Sequence, residues 1–180
     1  GRNSTTQYVT NQNEYSDSAF FYAYYQIYIG VEPELVDGYY QIASAANLVW
    51  FAEKVNSGST NINGKLTADI DLAVISNFEP IGYYSEEPDA KQMSYRGKFD
   101  GQGFVVKNLK IDRSDGCEAG LFSRTIQAEL SNIGIENATI ISNPCKDGRS
   151  YRAGVLAGEA HLTPVTNCFT CGEIIVQTEH

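Results

Sequence analysis

The sequence predicts an all-β fold, a right-handed parallel β-helix headed by one amphipathic capping helix. Three observations lead there. Apolar residues alternate with polar ones over several short stretches, a motif built around asparagine recurs in the second half, and a single segment between residues 44 and 57 carries helical periodicity. Twelve tyrosines against one methionine favour strands over a helical bundle, and eight of them (Tyr8, Tyr15, Tyr22, Tyr24, Tyr25, Tyr28, Tyr39 and Tyr40) precede residue 41.

Length and charge narrow the class. At 180 residues the chain is long enough for one domain with a real core. Its 42% apolar and 19% charged residues fit neither a disordered tail nor a membrane protein. A net charge of −9 with no basic run disfavours nucleic acid, whose phosphates attract clustered cations. No segment is long and apolar enough to read as a membrane span, and the start at Gly1 reads as a mature or trimmed form.

Residues 1–37 form an N-terminal extension. Within it, Phe20 to Ile29 is dense in aromatic and β-branched side chains and carries no charge, which predicts a strand that must be covered by this chain or by a partner's sheet edge. Residues 38–180 form the repeat domain. The helix begins at Ser44, whose hydroxyl can accept an early N–H; Leu48, Phe51, Ala52 and Val55 share one face, and Gly58 ends it. Trp50 reads as a core or rim aromatic beside that face. Lys65 to Leu72 then alternates strictly, which places Leu66, Ala68, Ile70 and Leu72 inward on one strand and Asp69 and Asp71 outward. Asp100-Gly101 is a turn signal.

The repeat follows. Val106 to Ile111, Leu130 to Ile135 and Val165 to Thr170 share the form apolar, any, Asn, apolar, any, apolar or small. Inward positions step by three across the asparagine, so the strand turns a corner there, and asparagine tolerates the left-handed dihedrals a corner needs. Gly120-Leu121-Phe122 and Gly154-Val155-Leu156 form a second, alternating element. Asn108, Gly120 and Asn132 are spaced by 12 residues, which predicts a 24-residue turn, with about ten extra residues at 143–152 in the next one. The helix caps one end. No comparable segment follows Ile174-Ile175-Val176, which predicts that more chain or another molecule covers the other end.

The stretch from Tyr40 to about Gly172 resembles the GLUG-repeat surface proteins of gut and mucosal bacteria. The resemblance rests on the lead helix from Ile42 to Val55, Asn56-Ser57-Gly58, Leu66 to Leu72, Pro80-Ile81-Gly82 and Phe99-Asp100-Gly101-Gln102-Gly103. The name-giving element matches imperfectly, as Gly120-Leu121-Phe122-Ser123 and Gly154-Val155-Leu156-Ala157-Gly158. Residues 1–37 lie outside it. The resemblance implies a secreted or surface-anchored segment of a longer adhesin-like or peptidase-associated protein.

Candidate chemistry is sparse. Asp69, Asp71 and Asp100 are the best carboxylates for a polysaccharide-degrading site, although all three also fit strand or turn positions. Asp112 to Gly116 lacks the spacing of a calcium loop, and His161 and His180 are too isolated for zinc. The repeat register turns Cys168 inward as a core thiol and Cys171 outward, and Cys145 can reach Cys117 or Cys171 to pin a loop. No cofactor or metal is expected. A binding surface is placed on two loops: Tyr83, Tyr84 and Tyr95 in one, and Lys146, Asp147, Arg149, Tyr151 and Arg152 in the other. The expected function is a non-enzymatic extracellular module at the cell surface of a bacterium. Its partners would be a host protein or glycan, or a neighbouring domain of its parent. The rival reading is a β-helix carbohydrate-active enzyme, a polysaccharide lyase or glycoside hydrolase, which requires those three carboxylates to gather in a groove with a Lys or Arg.

Overall fold

Parallel strand ladders organise the chain in a computed structural model, which describes residues 29–83, 93–113, 118–142 and 152–176. Those described residues are strand-rich, with one helix among them. A short hairpin opens it: β1 (Leu35–Val36) pairs antiparallel with β2 (Tyr39–Ile42) across Asp37-Gly38, both with positive φ, as a two-residue hairpin turn demands. Helix α1 (Ala45–Asn56) follows, then β3 (Asn63–Leu66) and β4 (Ile70–Asp71). The next passage holds β5 (Lys98–Asp100), β6 (Val105–Lys107), β7 (Lys110–Arg113), β8 (Glu118–Ala119) and β9 (Phe122–Ile126). After it come β10 (Glu129–Ser131), β11 (Gly134–Ser142), β12 (Arg152–Ala153) and β13 (Ala157–His161), and finally β14 (Val165–Thr166) and β15 (Phe169–Val176).

Strands from successive passages pair in parallel. One ladder runs β2-β3-β5-β10-β14, a second β4-β6-β11-β15 with β7 also on β11, and β8 pairs with β12 and β9 with β13. Phe99 pairs with Leu130 and Leu130 with Val165, steps of 31 and 35 residues. Val106 pairs with Ile135 and Ile135 with Thr170, steps of 29 and 35. The 24-residue period is therefore corrected. Asn108 does not stack on Asn132; it meets Asn137, while Asn132 meets Asp100 and Asn167. Each passage has more than one left-handed corner, and the motif count joined two different corners. The corner reading itself holds: Asn108, Asn132, Asn137 and Asn167 all have φ between 52° and 57°.

The stretch Lys65–Leu72 is not one strand. It bends between β3 and β4, which sit in different ladders, although Leu66, Ile70 and Leu72 are buried and Asp69 and Asp71 exposed. Alternation survives the bend, so the pattern alone could not reveal it. The second repeated element stacks well. Leu121 N donates to Val155 O and Phe122 N to Leu156 O, and Pro80-Ile81-Gly82 joins the same column because Ile81 bridges Phe122.

The helix forms where expected. Ser44 Oγ accepts from Asn47 N at 3.2 Å, Asn47 Oδ1 in return accepts from Ala43 N, and Ala45, Leu48, Phe51, Ala52 and Val55 are buried. Phe51 meets Phe99 with ring centroids 5.6 Å apart, Phe99 meets Phe122 at 5.4 Å, and Tyr95 stacks on Phe122 at 5.3 Å. Phe51 also meets Tyr95, at 6.0 Å, so the four rings close into one aromatic cluster that fills the core between helix and strands. Burying each such ring contributes about 1.5–3 kcal/mol. Gly64 admits the Phe51 ring, since a Cβ there would lie 2.9 Å from Phe51 Cε2. Trp50 is half-buried against Tyr40, centroids 5.0 Å apart, and so serves as a rim aromatic. Residues 29–37 lie against this end, with Val31 N donating to Ala46 O. The rest of the aromatic stretch, 20–28, lies outside the described residues.

Candidate functional site

Two loops were expected to carry contacts, and their bases do lie near one another. Tyr83 and Met93 exchange backbone hydrogen bonds of 3.2 Å and close the base of the segment between them. Beside them, Gly82 and Tyr95 run along β9, where Tyr95 N donates to Arg124 O. On the other edge of β9 lies β13, and Glu159 of β13 takes both Arg124 Nε at 3.2 Å and Arg152 Nη1 at 2.7 Å. Arg152 also meets Glu118 at 3.2 Å. Two arginines and two glutamates thus form a charge-balanced strip between the two loop bases. Glu118 is buried, so the neighbouring guanidinium supplies the charge that its desolvation requires.

The expected site residues fare differently. Tyr83 is half-buried at the loop base, and Tyr84, Lys146, Asp147, Arg149 and Tyr151 lie outside the described residues. Arg152 is engaged by Glu118 and Glu159 and holds two passages of chain together. Tyr95 is a correction: it is fully buried, not a loop contact. Its ring stacks on Phe122, and its hydroxyl lies 2.8 Å from Lys98 O and 3.0 Å from Ile62 O, which share its proton. Burial pushes that phenol well above its ordinary value. A tyrosine following a polar loop looks exposed in sequence, whereas here the chain has already returned to the β9 ladder.

The three carboxylates are taken up by the corners. Asp69 binds Lys107 Nζ at 2.7 Å and accepts from Val105 N at 3.0 Å, and the Lys107 hydrogen bond holds its carboxyl below the usual range. Asp71 accepts from Asn108 Nδ2 at 2.7 Å and from Ala73 N, which lower it likewise. For Asp100, partial burial acts to raise the carboxyl, but hydrogen bonds from Asn132 and from the backbone and side chain of Gln102 outweigh it and lower it.

These bonds continue as two amide columns, which the sequence motif hinted at without giving the partners. Asn108 donates to Asp71, and Asn137 to Asn108 at 2.6 Å. Asn132 donates to Asp100 at 2.8 Å, and Asn167 to Asn132 at 3.2 Å. Each column begins on a carboxylate and runs one way through the amides. Cooperative polarisation along such a chain strengthens each link.

Other candidates are quickly placed. Cys168 packs inward against the core but is half-buried; Cys171 is exposed, and both are free thiols. Cys117 and Cys145 lie outside the described residues, as does His180, and His161 ends β13 at the surface. Among the described residues no group of three His, Cys, Asp or Glu could hold a metal ion, and no helix is long and apolar enough to cross a membrane.

Comparison with known proteins gives two likenesses. No protein-family model matches the chain. A solved structure from Bacteroides ovatus, described as a candidate immunoglobulin A1 protease, aligns with a TM-score of 0.48 and 22% identity over 75% of this chain and 38% of that one. Halomucin of Haloquadratum walsbyi is 32% identical over 146 residues, which is 75% of this chain. The chain spans about 1% of Halomucin's length, so it is similar to one small part of a very long protein.

Proposed function

We propose that this chain is a non-enzymatic module of a microbial cell-surface protein, a right-handed parallel β-helix of the GLUG-repeat kind, that acts as a rigid extracellular scaffold and makes contacts through its loops. The observation that carries the reading is the conversion of chemistry-bearing residues into architecture. Asp69, Asp71, Asp100 and Arg152 are all bound to neighbouring passages of the chain. The ladders recur every 24 to 36 residues with parallel pairing, which supports a coiled solenoid, and parallel crossovers are right-handed in nearly all proteins. Likeness to a short part of Halomucin supports a surface-associated, extracellular setting.

Adhesion is assigned to the segments rooted at Tyr83 and Arg152. The test is a screen of the purified chain against immobilised host glycans and matrix proteins, alongside assays for polysaccharide and peptide cleavage. Binding that weakens at least tenfold in Tyr84→Ala or Arg149→Ala, with unchanged melting temperature, supports the adhesive reading. Polysaccharide cleavage that Asp71→Asn or Asp100→Asn abolishes overturns it in favour of a carbohydrate-active enzyme.

A further inference from the structure

The outer face of the second ladder carries an exposed aromatic ring, and the sheet beneath is shaped to seat it. In β11, Ile135 is buried inward, so its neighbours Gly134 and Glu136 face outward. The register places Val105, Gly134 and Phe169 in one outward row, and Lys107 and Glu136 in the next, about 7 Å along the strands. The Phe169 ring leans back over the preceding passage. A Cβ on Gly134 would lie 2.6 Å from its Cζ, 2.7 Å from its Cε1 and 3.0 Å from Val105 Cγ2, so glycine lets the ring lie down on the sheet. Gly134 lies in a strand and has no positive φ, so no turn demands a glycine there. Glycine inside a strand weakens it and marks a place of close approach. The ring rests against earlier strands, on the lateral wall of the stack, with Phe169 51% exposed.

Polar groups border this ring on both sides. Asn132 and Asn167 come two residues before Gly134 and Phe169, and Asn108 and Asn137 directly follow Lys107 and Glu136. Each of these amides gives one N–H along its column and keeps a second that can serve a ligand. Lys107 commits one of its three donors to Asp69, at 2.7 Å, and the exposed Glu136 carboxylate can accept. Lys107 stands among three carboxylates, Asp69, Asp71 and Glu136, so this wall disfavours an anionic ligand.

An electron-rich ring face attracts the polarised C–H bonds of a sugar, while amides, an ammonium and a carboxylate match its hydroxyls as donors and acceptors. A purely apolar ligand would desolvate those polar groups and leave them unpaired. We propose that the wall of β6, β11 and β15 binds a neutral carbohydrate chain, one sugar stacking on Phe169 while Lys107, Glu136 and the bordering asparagines bond its hydroxyls. The proposal rests on the reading of the chain as an adhesive surface scaffold, and gives it a ligand class and a site apart from the loops.

Isothermal titration calorimetry of the full chain tests this with neutral hexasaccharides of glucose, mannose, galactose and xylose, and with hexagalacturonate as the anionic control. At least one neutral hexasaccharide should bind with a submillimolar Kd and hexagalacturonate far more weakly. Phe169→Ala should weaken binding about tenfold, and Phe169→Leu, which keeps apolar bulk without a ring, should do the same. Phe169→Trp should retain it, and Glu136→Ala should weaken it severalfold. Melting temperature checks that each variant keeps its fold; if Phe169→Ala does not, Phe169→Leu and Glu136→Ala decide. The site is overturned if no neutral hexasaccharide binds, if hexagalacturonate binds equally well, or if the Phe169 and Glu136 variants bind as before. Binding lost in Tyr84→Ala or Arg149→Ala but kept in Phe169→Ala would leave adhesion on the loops and overturn this site alone. Cleavage of a hexasaccharide whose affinity still depends on Phe169 would keep the site and overturn the non-enzymatic reading.

Discussion

At the residue scale, the corner asparagines combine two properties that few side chains share. Asn132 holds φ at 54° and uses its amide to link Asp100 to Asn167. Alanine would incur about 1–2 kcal/mol of left-handed strain and lose two hydrogen bonds of about 1 kcal/mol each. Urea denaturation should therefore show Asn132→Ala less stable by about 2–4 kcal/mol, and Asn132→Gly, which removes the bonds but not the dihedral freedom, by about half of that. The carboxylates at the column heads predict an acid sensitivity. Asp69, Asp71 and Asp100 are all lowered in the fold, from an ordinary value of about 3.9 in the unfolded chain. Their stabilisation is therefore complete above about pH 5 and drains away as pH falls through the lowered values. Melting temperature followed from about pH 6 to about pH 2 should fall, and less steeply in Asp71→Asn, which no longer titrates.

At the scale of elements, the helix and the glycine column make different demands. Phe51 packs against the rings of Tyr40, Tyr95 and Phe99 and is fully buried, so Phe51→Ala should destabilise by about 3–5 kcal/mol. Ser44→Ala removes only a cap and should lose about 1 kcal/mol, a contrast that guanidinium unfolding resolves. Gly120 lies against the Gly154 carbonyl, too near to admit a Cβ, and Gly154 against that of Ala157. Gly120→Ala should thus lose about 1–3 kcal/mol through overpacking although it adds one methyl. Helix, cap and inward face were legible in the sequence, because each depends on residues within one or two turns of one another. The pairing of elements was not, because Asn108 and Asn132 look alike locally and differ only in which distant strand each meets.

At the scale of the whole molecule, the Arg124-Glu159-Arg152-Glu118 strip ties β8, β9, β12 and β13 together beside the loop bases. Arg152→Ala would leave Glu118 buried with its guanidinium partner gone, so thermal unfolding should show a loss of about 1–3 kcal/mol. Glu118→Gln in that background should recover part of the loss, since the uncompensated charge disappears.

The sequence by itself determined the strand-rich class, the capped helix, the inward rows and the use of asparagine at corners. These follow from dihedral preference, hydrophobic period and capping chemistry, all of which act over a few residues. Only the tertiary structure decided the length of each passage, the fate of Tyr95, the bend inside Lys65–Leu72 and the capture of three aspartates by the corners. Those depend on which residues 24 to 36 positions apart fit against one another. A local pattern can name a corner, but the register between passages is set by packing across the gap, and that information is spread over the whole stack.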